Sequence, residues 1–290
     1  MVNTTSERTL TCGLLPKGVC HIHKVNSLAF KDDNNFLSTL AAFSSLVFDQ
    51  YIRLFGKGDL LPSVINKLPI VDFKQAKIAA ITRGIALQTL TTHLADFWNE
   101  NYQLEWNNET WTQDLPGVSS QWFKSLTSEW HRACGLRSDL ARRQALVEID
   151  VLTAQAMGLT LKELIETYRI GFAVMRQYEK GTWYDQNGRI VCTPNRGLPE
   201  VGIPLSAKAS DYKEGTTYTV DGKACDKSGL AFKDVKDMKT DYIEKTFFNH
   251  TLEDEPVQRT IRYEAPFFQM NREKDYEVAW KVFEKRFGKN

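Results

Sequence analysis

Cys20, His21 and His23 form a short stretch in which side chains able to ligate a metal stand close together, and alternate residues of a strand share a face. A strand there brings Val25 to the side of His21 and His23 and turns Ile22 and Lys24 away. The other ligands of a metal centre are not evident, so packed histidines or polar contacts to a partner stand as the alternatives. Glu148-Ile149-Asp150 and Glu163 to Glu166 place carboxylates on helical stretches, without a convergent base or a second pair. That pattern reads as a solvated helix face rather than as general acid–base machinery. Trp98, Trp106, Trp111, Trp122 and Trp130 could stack on bases, yet their helical spacing favours core packing.

Motifs that would declare a common chemistry are missing. The chain has no Gly-x-x-x-x-Gly-Lys-Ser/Thr phosphate loop, no Gly-x-Gly-x-x-Gly, no Gly-x-Ser-x-Gly and no His-Glu-x-x-His. An adenine methyltransferase needs an Asn/Asp-Pro-Pro-aromatic loop, and no proline here follows Asn or Asp; the Pro-Asp of one nuclease class is also absent.

The elements that must position these residues are mostly helical. Arg8 to Leu15 and Val19 to Phe30 read as short strands around the Pro16-Lys17-Gly18 turn. From Asp32-Asp33-Asn34 a helical period runs through Phe36, Leu40, Phe43, Val47, Tyr51 and Leu54 to Gly56-Lys57-Gly58. Pro62 and Pro69 keep the next stretch extended, and a helix follows over 75–102. Another is expected after Ser119-Ser120, carrying Trp122, Phe123, Leu126 and Trp130. Arg137 to Met157 reads as a helix closed at Gly158, and Thr160 caps the next, which runs to about Tyr178. The helix, turn, helix sequence from Leu152 to Arg176 has too apolar a second helix for a groove reader, so it reads as a helical hairpin. Asp185-Gln186-Asn187-Gly188 signals a hairpin and Thr216 to Val220 a strand. Val235 to Phe248 reads as a lysine- and aspartate-rich helix, and 274–287 as a last helix with Tyr276, Trp280 and Phe283 on one stripe.

With 290 residues and 42% hydrophobic content the chain can bury a substantial core. Lys and Arg number 37 against 36 acidic residues, so any affinity for nucleic acid must come from a local patch. No apolar run reaches spanning length and the start lacks a signal-peptide core, so a cytoplasmic protein without a membrane partner is expected. Five widely spaced cysteines, without a C-x-x-C pair, are expected to be free thiols.

Several stretches have a familiar order. Ser6-Glu7-Arg8-Thr9-Leu10 precedes Leu14-Leu15-Pro16-Lys17-Gly18, then come Asn26-Ser27-Leu28-Ala29-Phe30 and the Lys57-Gly58-Asp59 to Leu68-Pro69-Ile70 closure. Arg142-Arg143 to Glu148-Ile149-Asp150, Met157-Gly158-Leu159-Thr160 to Leu164, and Thr182-Trp183-Tyr184-Asp185 to Arg189-Ile190-Val191 follow. In this order they resemble the C-terminal part of large single-chain, type IIG-like restriction-modification and phage-exclusion DNA adenine methyltransferases. The resemblance implies the end of a target-recognition domain handing over to spacer helices, with the cofactor-binding and base-flipping half absent. It implies a specificity subunit or the C-terminal piece of an interrupted enzyme, inactive alone. Duplex DNA and a methyltransferase or restriction catalytic subunit are the expected partners; no cofactor is expected in this chain, and S-adenosylmethionine is expected in the partner.

The expected fold is α+β and predominantly α-helical: a partial β-containing recognition segment over 1–73, a helical spacer and docking domain over 74–180, and a mixed C-terminal region over 181–290. Lys17, His21, His23, Lys24 and Lys57, at exposed bends, are the candidate DNA-binding residues. The alternatives are a non-catalytic interaction or regulatory protein derived from such a subunit, and a metal-dependent nuclease using His21, His23 and scattered carboxylates.

Overall fold

The computed structural model describes residues 6–22, 25–55, 60, 62–195, 198, 201–205, 215–225, 230–237, 239–250 and 255–288. Helices predominate, accompanied by two small antiparallel sheets. The helical layer is built around α6 (Asp139–Ala156), an 18-residue run without Gly or Pro that starts where the Ser138 side chain accepts from the Ala141 amide. Helices α1 (Asp33–Phe43), α2 (Leu46–Leu54), α4 (Lys77–Gln88), α7 (Leu161–Gly171) and α10 (Arg272–Phe287) pack against α6, so it has no solvated face. The short α3 (Pro62–Ile65), α5 (Ala95–Asn101) and α8 (Ala173–Gly181) complete the layer. One apolar core joins Leu10, residues of α1 and α2, Val147, Val151 and Leu152 of α6, and Tyr276 and Phe283 of α10.

Local signals set many boundaries where the sequence places them. Asp32 caps α1 through the amides of Asn34 and Asn35. Gly158 takes φ +73° after α6, and Thr160 and Glu163 form a reciprocal capping box at the start of α7. The Asp185–Gly188 turn joins β1 (Trp183–Tyr184) to β2 (Ile190–Cys192), with Asp185 Oδ1 accepting from the amides of Asn187 and Arg189. Leu140 N donates to Gly188 O and Ile190 N to Asp139 Oδ2, which seats this hairpin on the first turn of α6.

Elsewhere tertiary contacts override the local pattern. The expected single helix over 32–54 breaks at Ser44–Ser45. Ser44 Oγ turns back to Leu40 O, Ser45 caps α2, and the Leu46 amide donates to Asp150 Oδ1 at 2.7 Å. The expected helix over 75–102 stops at Gln88 and resumes only at Ala95. The tryptophan-rich stretch after Ser119 forms one 3-10 turn, Phe123–Ser125, instead of a helix. The indoles of Trp98, Trp111, Trp122 and Trp130 donate to the loop carbonyls of Thr127, Ser119, Ala133 and Thr89, fixing irregular backbone rather than a helical stripe. Trp98 and Trp106 are fully buried and meet edge to face, so packing is their role.

The C-terminal sheet corrects a second helix assignment. Among the described residues over 230–249, only Phe232–Val235 (α9) is helical. Tyr242–Asn249 is strand β5, paired through eight residues with β6 (Val257–Glu264) in the order β4-β3-β5-β6, where β3 is Thr217–Val220 and β4 Lys223–Ala224. Tyr, Ile, Thr and Phe at these positions favour a pleated surface more than the flanking lysines and aspartates favour a helix. The strands expected near the front are absent among the described residues: 10–31 contain neither strand nor helix, so the alternation around His21 builds no sheet face.

Candidate functional site

The polar residues of α6 face inward. Glu148 and Asp150 are fully buried, which overturns their reading as a solvated face. A carboxylate in such a place needs cations and donors around it. Glu148 is held by Arg83 on α4, by the amide and hydroxyl of Thr112 (both 2.7 Å) and by Gln144 Nε2 (2.8 Å). Arg83 also reaches Glu109 at 3.0 Å, and Arg286 of α10 meets the other Glu109 oxygen at 2.8 Å. Burial alone would lower the proton affinity of Arg83, but Glu148 and Glu109 raise it, so it stays charged.

A second cluster lies further along α6. Arg272 joins Asp150 (2.8 Å) to Glu179 (2.9 Å), Tyr276 donates its hydroxyl to Asp150 (2.7 Å), and Arg143 pairs with Glu179 (3.2 Å) and Asp275 (2.7 Å). Burial would push the Glu179 carboxyl up, yet Arg272 and Arg143, with hydrogen bonds from Arg272 and Tyr168, hold it down at about 2. For Asp150 burial prevails over Arg272, Arg8, Tyr276 and the Leu46 amide, and its proton affinity is raised.

Beside this cluster lies a cavity of about 190 Å³, lined by Glu7 and Arg8, by Asp139, Arg142 and Arg143 of α6, by Tyr178 and Glu179 of α8, and by Tyr184, Thr193 and Arg272 among others. Its walls come from the front of the chain, the central helix, the hairpin and the last helix. Burial pushes the Tyr184 hydroxyl up to about 12, so it remains a proton donor. Glu179 is locked in ion pairs, while Glu7 accepts from Asn195 and Asp139 from the Ile190 amide, an arrangement that suits binding.

The front segment forms a separate surface. Arg8 Nη1 donates to Ser44 O (2.7 Å), the Thr9 amide to Asp49, and Arg53 to the carbonyls of Ser6 and Glu7. Beyond this strap the described residues form neither helix nor strand and turn at Pro16–Val19, and the segment is anchored again where Asn26 Nδ2 donates to Leu60 O and Phe30 stacks on Phe36. Between the anchors Leu15, Val19, Ile22, Val25 and Leu28 are exposed, Ile22 by 75%.

Of the candidate DNA-binding residues, Lys17 stands out in solvent with its ammonium 3.6 Å from Glu100, a pair too exposed to hold it firmly. His21 is exposed and hydrogen-bonds Ser27 Oγ at 3.0 Å. His23, Lys24 and Lys57 lie outside the described residues. Neither Lys17 nor His21 lines the cavity. The metal reading needs further ligands near His21, and among the described residues no group of three or more His, Cys, Asp or Glu could hold an ion. The described cysteines are free.

Comparison with protein-family models, curated proteins and solved structures finds no match to this chain. The functional reading therefore rests on the residues themselves. Arg8, Arg142, Arg143 and Tyr184 stand in separate stretches of the sequence, and nothing in their spacing gives them a common site. The available signal is polar and charged residues, Arg143, Gln144, Glu148 and Asp150, interleaved with Leu140, Val147, Ile149 and Val151 so that no face of the helix is purely polar. Among the described residues no helix is long and apolar enough to cross a membrane.

Proposed function

We propose that the chain is a DNA target-recognition module of a restriction-modification or phage-defence methyltransferase system. It binds duplex DNA with its front segment and docks on a catalytic partner in the cytoplasm, and that partner carries S-adenosylmethionine chemistry. The observation that carries this reading is the exposure of the front segment. Between its two anchors it presents five large apolar side chains together with Lys17 and His21, on the outside of a body fixed by buried ion pairs. Apolar side chains displayed together in solvent mark a surface that another body covers. The same segment is where the resemblance puts the end of a recognition domain, and it supplies donors that suit phosphates and base edges.

The test is binding of the purified chain to duplex DNA, alone and with an adenine methyltransferase carrying the Asn-Pro-Pro-aromatic loop. Lys17→Glu should weaken binding and reduce the dependence of log affinity on log salt by about one unit, without moving the unfolding midpoint. A chain that binds neither duplex DNA at low salt nor such a partner refutes the reading.

A further inference from the structure

We propose that the cavity beside α6 binds a small oxyanion of the phosphate type. The decisive observation is a pair of unmet donors. Arg143, only 7% exposed, gives Nε to Glu179 and Nη1 to Asp275, while its buried Nη2 has no hydrogen-bond partner among the described residues. Arg8 gives Nη1 to Ser44 O, and its buried Nη2 likewise has no partner among the described residues. The two residues lie far apart in the sequence and border the same cavity. A buried guanidinium N–H left without an acceptor is costly, and one such donor is uncommon enough to call for an explanation.

The acceptor is not supplied by the cavity's own carboxylates in this arrangement. Glu179 already takes Arg272, Arg143 and the Tyr168 hydroxyl; Glu7 takes Asn195 at 2.8 Å; Asp139 takes the Ile190 amide at 3.0 Å. Arg272 and Arg142 spend donors elsewhere, on Asp150 and Glu179 and on the carbonyls of Leu87 and Leu136. What remains unmatched is cationic. Planar guanidinium donors suit an oxyanion that can offer several oxygens at once, and the hydroxyls of Tyr178, Tyr184 and Thr193 also line the space. About 190 Å³ accommodates a phosphate group with a little water, and falls below the roughly 300 Å³ at which pockets for drug-sized ligands begin. The inference does not depend on DNA binding by the front segment, because Lys17 and His21 take no part in it.

The experiment is calorimetric titration of the full chain with inorganic phosphate, using chloride at matched ionic strength as the control. Saturable one-to-one binding is expected, weakened about tenfold or more in Arg8→Gln, whose side chain forms no salt bridge among the described residues. Glu7→Gln, which removes a negative charge from the cavity wall, should bind phosphate more tightly than the native chain. Far-UV circular dichroism in chloride checks that both variants fold, and Arg143→Lys, which keeps the charge but loses the fork, should also bind more weakly. A repeat with duplex DNA present separates the sources. Loss of phosphate uptake identifies a strand phosphate as the ligand, unchanged uptake a free oxyanion, and either keeps the site. Absence of saturable phosphate binding to the native chain, or equal affinity in the native and Arg8→Gln proteins, overturns the proposal.

Discussion

Replacing Arg83 by methionine removes the cation at the centre of the helical layer while nearly keeping its volume. The side chain is fully buried, bonded to Glu148, to Glu109 at 3.0 Å, and to the carbonyls of Ala79 and Thr110 at 2.9 and 2.7 Å. The variant leaves Glu109 with Arg286, but Glu148 keeps only the neutral donors of Thr112 and Gln144. Stripping one partner from a buried pair costs about 3–5 kcal/mol. The three remaining donors to Glu148 place the expectation near the lower end, about 3 kcal/mol. At about 2.1 cal/mol/K of unfolding entropy per residue, a chain of 290 residues loses roughly 5 °C of melting temperature. Urea unfolding followed by tryptophan fluorescence reads this as a lower midpoint at unchanged m, with Trp98 and Trp106 as buried reporters. Adding Glu148→Gln should restore at least about 1.5 kcal/mol, because a neutral amide no longer needs the missing cation. A cost below about 1 kcal/mol, or simple addition of the two single effects, would refute the view that charge pairing holds this centre.

The other expectations probe separate devices. Glu179 has a folded value of about 2 against an ordinary 4.5, so its contribution is complete above pH 4.5 and disappears as pH falls towards 2. Urea midpoints should decline through that window by an amount worth about 3 kcal/mol from this group, and Glu179→Gln should flatten the decline while lowering stability at pH 7; an identical acid limb would show that the carboxylate is not held down. Gly117 has φ +70°, and a Cβ there would lie 2.1 Å from the Asn187 carbonyl carbon and 2.2 Å from the Gly188 amide nitrogen. Gly117→Ala should therefore cost upwards of about 3 kcal/mol by thermal melting, whereas Gly158→Ala, at φ +73° with nothing within 4 Å, should cost only the left-handed strain of about 1 kcal/mol. Thr160→Ala should lose about 1 kcal/mol with the α7 cap, measured by the same melts, and Ser in its place should recover most of it.

The parts of the fold legible in the sequence are those written into a few adjacent residues. The Gly158 stop, the Thr160 cap and the Asp185–Gly188 turn each need only local backbone chemistry, and each stands where its residues put it. Segments whose conformation depends on distant partners were misread. The break at Ser44–Ser45 is stabilised by Asp150, a hundred residues away in the chain, and β5 exists because β3 and β6 flank it. The cavity was hidden for the same reason. Nothing beside Arg143 announces that Asp275 and Glu179 will fold against it, or that Arg8 will border the same space.

The two surfaces of this molecule share one root. Arg53 bonds Asp49 on its own helix, the Gly171 carbonyl at the end of α7, and the carbonyls of Ser6 and Glu7. Asp49 in turn accepts the Thr9 amide, and Leu10 enters the main core. Residues 6–10 are thus strapped to the helical body, and the strap both launches the exposed segment that begins just beyond it and brings Arg8 to the cavity. Buried ion pairs of this kind are poor sources of net stability, since apolar side chains of similar volume often do as well. Their geometric demand is what they add: Arg272 pairs with Asp150 and Glu179, and Arg143 with Glu179, only when α6, α8 and α10 sit in this arrangement. A body fixed in that way holds the base of its front segment still, and an anion that engages Arg8 acts on the same base from which that segment departs.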